Sequence, residues 1–207
     1  MIAVIDYGVG NLFSLKCSLT AIGADACITR DAGVIHEADH LILPGVGAFG
    51  DAVKKLRETG MFDLVKQEAQ SGKPMLGICV GMQLLFDWSL EFGEHEGLGL
   101  IHGTVDAIEK RIPQDLDIPH MGWNSLSYVK PSPLFTDIPE GSFVYFVHSY
   151  SAVDCEEDTV AVSEYGAPLT AAVQKGNVFG TQFHPEKSGD IGLSILRSFC
   201  ALKEEPL

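Results

Sequence analysis

The stretch Pro74-Met75-Leu76-Gly77-Ile78-Cys79-Val80-Gly81-Met82-Gln83 decides the fold. Its apolar first half predicts a buried strand at residues 74–78, and the helical spacing that follows predicts a helix at residues 80–88. Gly-x-Cys-x-Gly between them predicts a sharp, strained turn that lifts the sulfur above a sheet. A thiol at the start of a helix faces unpaired amides and the positive end of the helix dipole, which favour the thiolate. Cys79 is therefore a candidate nucleophile, and a buried structural cysteine beside a packing glycine is the alternative.

Strand and helix patterns alternate through the first half of the chain. Strands are predicted at residues 1–6, 24–30 and 40–43, and helices at residues 11–22, 48–57 and 61–69. Strands separated by helices indicate a mostly parallel central sheet with helices on both faces. The predicted fold class is therefore α/β.

The second half of the chain is rich in strand patterns. Strands are predicted at residues 103–110, 123–129, 143–147, 160–165, 170–174 and 178–183, and a closing helix at residues 189–202. Gly176-Asn177 is typical of a tight hairpin turn between the last two strands. This half should be largely antiparallel. We find no linker, so residues 1–207 are expected to form a single domain.

Composition and charge narrow the classes of function. The formal net charge of −14 argues against a nucleic-acid partner, because phosphate neutralisation needs a basic face. No apolar run approaches the roughly 18 residues that span a bilayer, and the first residues lack the basic lead and cleavage site of a signal peptide. A soluble, cytoplasmic protein without membrane contact is expected. Acidic residues gather at 91–96, 154–158 and 204–205, where we expect a solvated face, with a docking surface for a basic partner as the alternative.

The cysteines are few and widely spaced. Their odd number and the absence of C-x-x-C argue against a disulfide framework and a zinc site, so we expect neither a metal nor a cofactor. Apart from Cys79, three lie in apolar patterns and are expected to be small core residues, namely Cys17, Cys27 and Cys200. Cys155 lies in a polar stretch and is predicted to be a loop thiol.

A nucleophilic cysteine needs a base that a third group holds in place. His184 lies in Gly180-Thr181-Gln182-Phe183-His184-Pro185-Glu186, directly after an apolar strand. It should therefore lie at the carboxyl edge of the sheet, where ligands of open α/β sheets bind. Glu186 follows a proline that fixes the turn, and that spacing lets its carboxylate orient the imidazole. A strand-end histidine beside an unrelated acid is the alternative, although the chain order is compatible with a triad.

A glycine-rich segment follows the third predicted strand. Pro44-Gly45-Val46-Gly47-Ala48-Phe49-Gly50 contains G-x-G-x-x-G between a strand and a helix. Dinucleotide binding is disfavoured, because the motif follows a third strand and no acid is suitably placed after the next strand to bind a ribose. We interpret the segment instead as a mobile strand end that presents backbone amides to an oxyanion.

Together, Gly-x-Cys-x-Gly and the downstream His-Pro-Glu resemble the class I (triad) glutamine amidotransferases. Within that class, the chain is most similar to the glutaminase subunits of imidazole glycerol phosphate synthase, of histidine biosynthesis. The similarity runs through nearly the whole chain. It is carried by residues 6–12, 44–49, 77–85, 120–124, 146–150 and 182–188.

The resemblance implies a glutaminase that releases ammonia. Cys79 would form a glutamyl thioester, His184 would act as base and acid, and Glu186 would hold His184 in the working tautomer. The implied oxyanion hole is formed by the backbone of Val80 and of Gly45, Val46 and Gly47. The positions that match glutamine-binding residues are Gly47, Gln83, Ser149 and Tyr150.

The resemblance also implies a partner subunit. This would be a cyclase with a (β/α)8 barrel, forming a heterodimer in which ammonia passes through the barrel. The products would be imidazole glycerol phosphate and aminoimidazole carboxamide ribotide. The positions expected near this interface are Asn11, Trp123, Tyr145 and Lys187. An ordinary core role for Trp123 and an exposed charge at Lys187 are the alternatives.

Three other interpretations remain open. The glutaminase of pyridoxal phosphate synthase is similar in size and triad, but its glycine-rich segment reads Gly-Gly-Glu-Ser where this chain has Pro44-Gly45-Val46-Gly47. A cysteine peptidase or hydrolase could use the same elbow. A non-catalytic scaffold or redox sensor could use Cys79 as a reactive thiol only, although it would need neither His184 nor Glu186.

Overall fold

The computed structural model describes residues 1–203, which form strands, six α-helices and three short 3-10 helices. The strands are β1 (Ile2–Ile5), β2 (Ala26–Thr29), β3 (His40–Gly45), β4 (Met75–Cys79), β5 (Trp88–Ser89), β6 (His95–Glu96), β7 (Thr104–Ala107), β8 (His120–Ser125), β9 (Ser127–Tyr128), β10 (Phe143–His148), β11 (Tyr150–Val153), β12 (Thr159–Glu164), β13 (Pro168–Lys175) and β14 (Val178–Thr181). The helices are α1 (Leu12–Ala21), α2 (Ala32–Glu37), α3 (Phe49–Glu58), α4 (Met61–Gln70), α5 (Val80–Gln83) and α6 (Gly189–Cys200), with 3-10 helices at Ile108–Lys110, Pro133–Phe135 and Pro185–Lys187.

The main sheet has the strand order β2-β1-β3-β4-β14-β13-β12-β9. The first five of these strands are parallel to one another, and the last three continue the sheet in antiparallel fashion. Every residue of β3 and β4 is buried, as expected for central parallel strands that are covered on both faces. The predicted α/β class with an antiparallel second half is confirmed.

Two smaller sheets lie beside the main one. Strands β8 and β10 form an antiparallel pair, and the other sheet has the order β11-β7-β5-β6. The predicted turn at Gly176-Asn177 is confirmed, since Lys175 pairs with Val178 across it. This hairpin carries the chain from the antiparallel part of the main sheet into β14, beside β4.

The helix predicted at residues 80–88 is wrong in its extent. Helix α5 ends at Gln83, and Trp88 begins strand β5 instead. The reason lies in a distant loop, because the amides of Leu98 and Leu100 donate to the carbonyls of Leu84 and Leu85. In a helix that ran on through Trp88, those carbonyls would accept from the amides of Trp88 and Ser89. The apolar residues at positions 84–86 are therefore buried, as their pattern indicates, but they do not belong to a helix.

Other local predictions also failed. The single strand predicted at 123–129 is two strands, because the chain changes sheets at the buried Leu126. Helix α2 was not predicted, since only Ile35 within it is buried and no apolar stripe marks it. Strand β11, which pairs with β7, was missed as well.

The cysteines are placed differently from the prediction. Cys17 lies on the exposed side of α1, so its assignment to the core is wrong, and Cys27 and Cys200 are only half-buried. Cys155 does lie in a loop between β11 and β12, but it is buried against the hydroxyls of Thr159 and Thr170. The acidic pair 204–205 lies outside the described residues. Within residues 1–203, every helix is too short or too polar to cross a membrane.

Candidate active site

The turn between β4 and α5 is strained at Cys79. Its backbone has φ 55° and ψ −114°, a conformation that residues other than glycine rarely adopt. Both flanking glycines are required by close backbone contacts. A Cβ at Gly81 would come within 1.8 Å of the carbonyl oxygen of Leu43, and one at Gly77 within 2.6 Å of the Gly81 oxygen. The thiol is thereby held at the carboxyl end of β4, directly before the first helical residue, Val80.

His184 reaches the same edge of the sheet from the neighbouring strand. Strand β14 runs parallel to β4, with Thr181 beside Ile78, so the residues after both strands meet. His184 Nδ1 lies 2.8 Å from Glu186 Oε1, and both side chains are buried. Burial opposes the charged imidazolium, but hydrogen bonds with Cys79 and Glu186 outweigh it and raise the pKa of His184 to about 9. A histidine held in this way can keep a proton beside a thiolate near neutral pH.

A cleft of about 410 Å³ opens above Cys79 and His184. Most of the residues predicted for the site line it, namely Val46, Gly47, Cys79, Val80, Gln83, Ser149, Tyr150, His184 and Lys187. Gly45 and Glu186 lie behind this lining, as neighbours of Cys79 and His184 respectively. The other lining residues were not predicted, and these are Glu91, Pro119, Val147 and His148.

The glycine-rich segment borders Cys79. Gly45 is the register partner of Cys79 across β3 and β4, and a Cβ there would come within 2.5 Å of the Gly81 amide nitrogen. Val46 is exposed, and Gly47 has φ +85°, which favours glycine. On the other side of the sulfur, Val80 opens a helix whose first amides have no partner within it. The backbone of the glycine-rich segment and the start of helix α5 therefore both lie beside Cys79.

Gln83, Ser149 and Tyr150 form another wall of the cleft. The Nε2 of Gln83 donates to the carbonyl oxygen of Tyr150 at 3.2 Å and to Gln182 Oε1 at 3.0 Å. Both hydrogens of this amide are then used, which leaves Gln83 Oε1 as an acceptor. Ser149 and Tyr150 lie where β10 passes into β11.

Glu91 is a cleft residue that the sequence did not reveal. We expected it on a solvated acidic face, but it is buried, and one carboxylate oxygen accepts from the amide of Phe49 at 2.6 Å. Burial raises the pKa of Glu91 above its ordinary value, although the Phe49 amide counteracts this. Nothing in its acidic segment distinguished it from exposed neighbours such as Glu94.

Three of the four residues predicted near a partner interface lie together. Trp123 and Tyr145 are register partners across β8 and β10, with ring centroids 6.1 Å apart, and Lys187 Nζ lies 5.7 Å from the Tyr145 ring. Trp123 is 55% exposed, so the alternative of an ordinary core residue is wrong. Asn11 caps α1, accepting from the amide of Ser14. Helix α1 itself packs against the 3-10 helix that contains Lys187.

Comparison with known proteins gives one consistent family. Residues 3–201 match the family model of class I glutamine amidotransferases. The chain is 49% identical over 200 residues to imidazole glycerol phosphate synthase subunit HisH of Oceanobacillus iheyensis, covering 96% of this chain and 98% of that protein. It is 51% identical over 201 residues to the subunit of the same name from Sulfurimonas denitrificans, covering 96% and 97%.

Solved structures agree on the fold. A crystal structure of a glutamine amidotransferase superposes with a TM-score of 0.74 at 20% identity, covering 96% of this chain and 99% of that one. The structure of PurLQS from Thermotoga maritima gives a TM-score of 0.73 at 20% identity, covering 96% of both chains. The resemblance seen in the sequence motifs is thus confirmed, and the chain belongs to the class I glutamine amidotransferases and, within them, to the family of imidazole glycerol phosphate synthase subunit HisH.

Proposed function

We propose that this protein is the glutaminase subunit of an imidazole glycerol phosphate synthase, with Cys79, His184 and Glu186 as its catalytic triad. The observation that carries the proposal is the convergence of a strained elbow cysteine and a buried His184–Glu186 pair on one cleft. Such a nucleophile, base and orienting acid are what acyl transfer requires. Membership of the HisH family supports glutamine as the substrate.

In the first half-reaction, the Cys79 sulfur attacks the side-chain carbonyl carbon of glutamine. His184, which holds a proton beside the sulfur, gives that proton to the departing nitrogen, so ammonia leaves and a glutamyl thioester remains. In the second half-reaction, neutral His184 takes a proton from water as the oxygen attacks the thioester. The carbon–sulfur bond then breaks, which yields glutamate and restores the thiolate. Glu186 keeps His184 Nδ1 protonated throughout, so Nε2 remains available for these transfers.

The negative charge that develops on the carbonyl oxygen needs backbone donors. We assign this oxyanion hole to the amide of Val80 and to the backbone of Gly45, Val46 and Gly47. A single donor of this kind contributes about 3 kcal/mol to transition-state stabilisation. The direction in which the Val46 amide points would therefore decide how active the subunit is.

The remaining cleft residues bind the ends of glutamine. We assign Gly47, Gln83, Ser149 and Tyr150 to glutamine binding. Glu91 adds a buried carboxylate with one oxygen not taken by Phe49, which suits the α-ammonium group of a free amino acid. This pairing favours substrates with a free α-amine over α-linked peptide chains, and so disfavours a general endopeptidase; it does not distinguish glutamine from γ-glutamyl peptides, which keep that amine free.

The ammonia is passed to a cyclase subunit with a (β/α)8 barrel, giving a heterodimer that makes imidazole glycerol phosphate and aminoimidazole carboxamide ribotide. We place this interface at Trp123, Tyr145, Lys187 and Asn11. The support is the exposed Trp123 against the half-buried Tyr145, beside a lysine that both lines the cleft and contacts Tyr145. A partner docked there would cover the cleft and keep ammonia from solvent. We further propose that residues 1–207 are one domain that acts in the cytoplasm.

Co-purification followed by a glutaminase assay tests this proposal. The chain is co-expressed and co-purified with candidate barrel cyclases, and glutamate release is measured with and without the cyclase substrate. We expect a stable complex and glutamine hydrolysis that rises when the cyclase substrate is present. Activity with a pyridoxal phosphate synthase instead, or no glutaminase activity with any cyclase, would contradict the proposal.

A further inference from the structure

Gln182 lies directly beneath the nucleophile, in a place that the proposed triad does not use. Its side chain is fully buried. Its Oε1 accepts from Gln83 Nε2 at 3.0 Å, and its Nε2 lies 3.8 Å from Cys79 Sγ, within hydrogen-bonding distance for sulfur. A buried carboxamide that presents N–H to a thiol is a donor in contact with a reacting atom.

The orientation of this carboxamide is dictated by a backbone carbonyl. The oxygen of Tyr150 can only accept, so Gln83 must turn its NH₂ group towards it. The same NH₂ group then meets Gln182, which must present its oxygen. The nitrogen of Gln182 is consequently the end that faces Cys79. Reversing either amide would place two oxygens or two NH₂ groups against each other.

The Tyr150 carbonyl also accepts from the first of two linked, buried histidines. His148 Nδ1 donates to it at 2.8 Å, so His148 Nε2 must accept, and it does so from His120 Nδ1 at 2.9 Å. His120 Nε2 in turn accepts from Asn124 at 3.1 Å. Burial lowers the pKa of His148 to about 3 and that of His120 to about 4, so both rings are neutral at pH 7. Each ring therefore has one donor and one acceptor, and both are used.

We propose that Gln182 is a further catalytic residue, whose Nε2–H donates to the Cys79 sulfur and stabilises it as a thiolate. Gln83, His148 and His120 act through the Tyr150 carbonyl as positioning residues that keep the Gln182 nitrogen turned towards the sulfur. The hydrogen bond strengthens as the sulfur becomes an anion, which occurs before attack and again when the thioester breaks. This inference rests on the proposed role of Cys79 as nucleophile.

The test measures the reactivity of Cys79 in the full chain, without any partner or glutamine. Alkylation by iodoacetamide is followed from pH 5 to 10, and the peptide containing Cys79 is quantified by mass spectrometry. Gln182→Leu removes the donor. Thr181→Val is the matched control, because Thr181 is a fully buried neighbour on the same segment and its hydroxyl has no partner within residues 1–203. Alkylation of the exposed Cys17 in the same samples serves as an internal control for the activity of the reagent.

We expect Gln182→Leu to slow Cys79 alkylation at pH 7 about tenfold and to move the rate curve to higher pH, since a hydrogen bond to a charged group is lost. Thr181→Val should retain the parent curve, and Cys17 should react equally in all three proteins. Gln182→Glu, of nearly the same shape, should move the curve further because a carboxylate then faces the sulfur. An unchanged Cys79 curve in a folded Gln182→Leu or Gln182→Glu protein would overturn the inference.

Activity of the complex supplies a second readout. Gln182→Leu should lower kcat for glutamine with KM changed less than about twofold, because the lost bond involves the nucleophile and not the bound amino acid. A rise in KM with unchanged kcat would instead assign Gln182 to substrate binding. Absence of glutaminase activity in the parent complex would contradict the proposed function, while the alkylation curves would still decide the role of Gln182.

Discussion

His184 Nδ1 and Glu186 Oε1 lie 2.8 Å apart, across a single proline, and both side chains are almost wholly buried. The proline begins the 3-10 helix Pro185–Lys187, so the carboxylate turns back towards the ring that precedes it. This contact occupies Nδ1 and leaves Nε2 for Cys79. The hydrogen bond with Cys79 and this pair together raise the pKa of His184 to about 9 although the ring is buried.

Replacing Glu186 by Gln should lower both activity and the pKa of His184. Because that pKa is raised on folding, the stability it contributes is complete below the ordinary value of 6.5 and is lost as the pH rises through about 9. Glu186→Gln should therefore flatten the decline of Tm between these pH values and reduce kcat at least about 100-fold. Thermal melts from pH 6 to 10 and glutaminase assays check this. A parent-like decline of Tm would refute the ion-pair explanation.

Cys79→Ala should abolish glutamine-dependent synthesis by the complex while ammonia-dependent synthesis persists, because only the glutaminase step needs the sulfur. Cys155→Ala is the control at another buried cysteine, whose thiol pKa is raised by burial. It should keep both activities and lose about 1 kcal/mol of stability for the missing buried group. Product formation with each nitrogen source checks the pair of variants. Loss of both activities in Cys79→Ala would contradict the division of labour between subunits.

Glu91→Gln should weaken glutamine binding about tenfold, if the carboxylate pairs with the α-ammonium group. Burial raises the pKa of Glu91, so its charged form is lost at a higher pH than for an ordinary glutamate. In the parent, KM for glutamine should rise as the pH falls through the raised pKa of Glu91. In Glu91→Gln, KM should not change over the same pH range. Glu94→Gln, at an exposed acid of the same segment, should follow the parent. Equal pH dependence of KM in all three would exclude this role.

Lys73→Met should destabilise the fold by about 3–5 kcal/mol, because it leaves a buried carboxylate without its main partner. Lys73 Nζ lies 2.6 Å from Glu68 Oε2, and both side chains are buried. Lys54→Met is the matched control, since Lys54 pairs with Glu58 at the exposed surface, and it should change stability by less than about 0.5 kcal/mol. Urea unfolding measures the free energy of unfolding of both variants and of the parent. Similar losses would show that the buried pair contributes no more than the exposed one.

Glu68 also makes this ion pair sensitive to acid. Burial opposes its charge, but hydrogen bonds from Lys73 and His36 hold the pKa of Glu68 below its ordinary value. The stability that it contributes is present above pH 4.5 and is lost as the pH falls through the lowered pKa. Lys73→Met should show less of this acid-side loss, and urea midpoints at pH 7 and pH 4 measure it.

Trp123→Ala should weaken the complex with the cyclase by about 2 kcal/mol or more, as expected for a large aromatic residue at the centre of an interface. Trp88→Ala is the control, because Trp88 is similarly exposed but lies on strand β5, outside the proposed interface. Binding measured by calorimetry distinguishes the two variants. Equal affinity of Trp123→Ala and the parent would place the interface elsewhere.

The sequence by itself determined the parts of this protein that depend on local chain geometry. The turn at Cys79 could be predicted because the chain packs so closely at Gly77 and Gly81 that a side chain would clash there. The contact of His184 with Glu186 could be predicted because Pro185 fixes a short turn between them. The parallel strands followed from apolar runs separated by helical spacing. The two turn signals each lie within a few consecutive residues, and each strand or helix is marked by the spacing of its own residues.

Only the tertiary structure decided the features that depend on distant backbone. Helix α5 does not continue to Trp88, since the loop at residues 97–101 occupies the carbonyls of Leu84 and Leu85. Glu91 is buried where the amide of Phe49 binds it. The orientation of Gln182 depends on the Tyr150 carbonyl, through Gln83. Such contacts join segments far apart in the chain, and hydrogen-bond direction is set by which acceptor happens to face a given donor. No periodicity or local motif encodes that information.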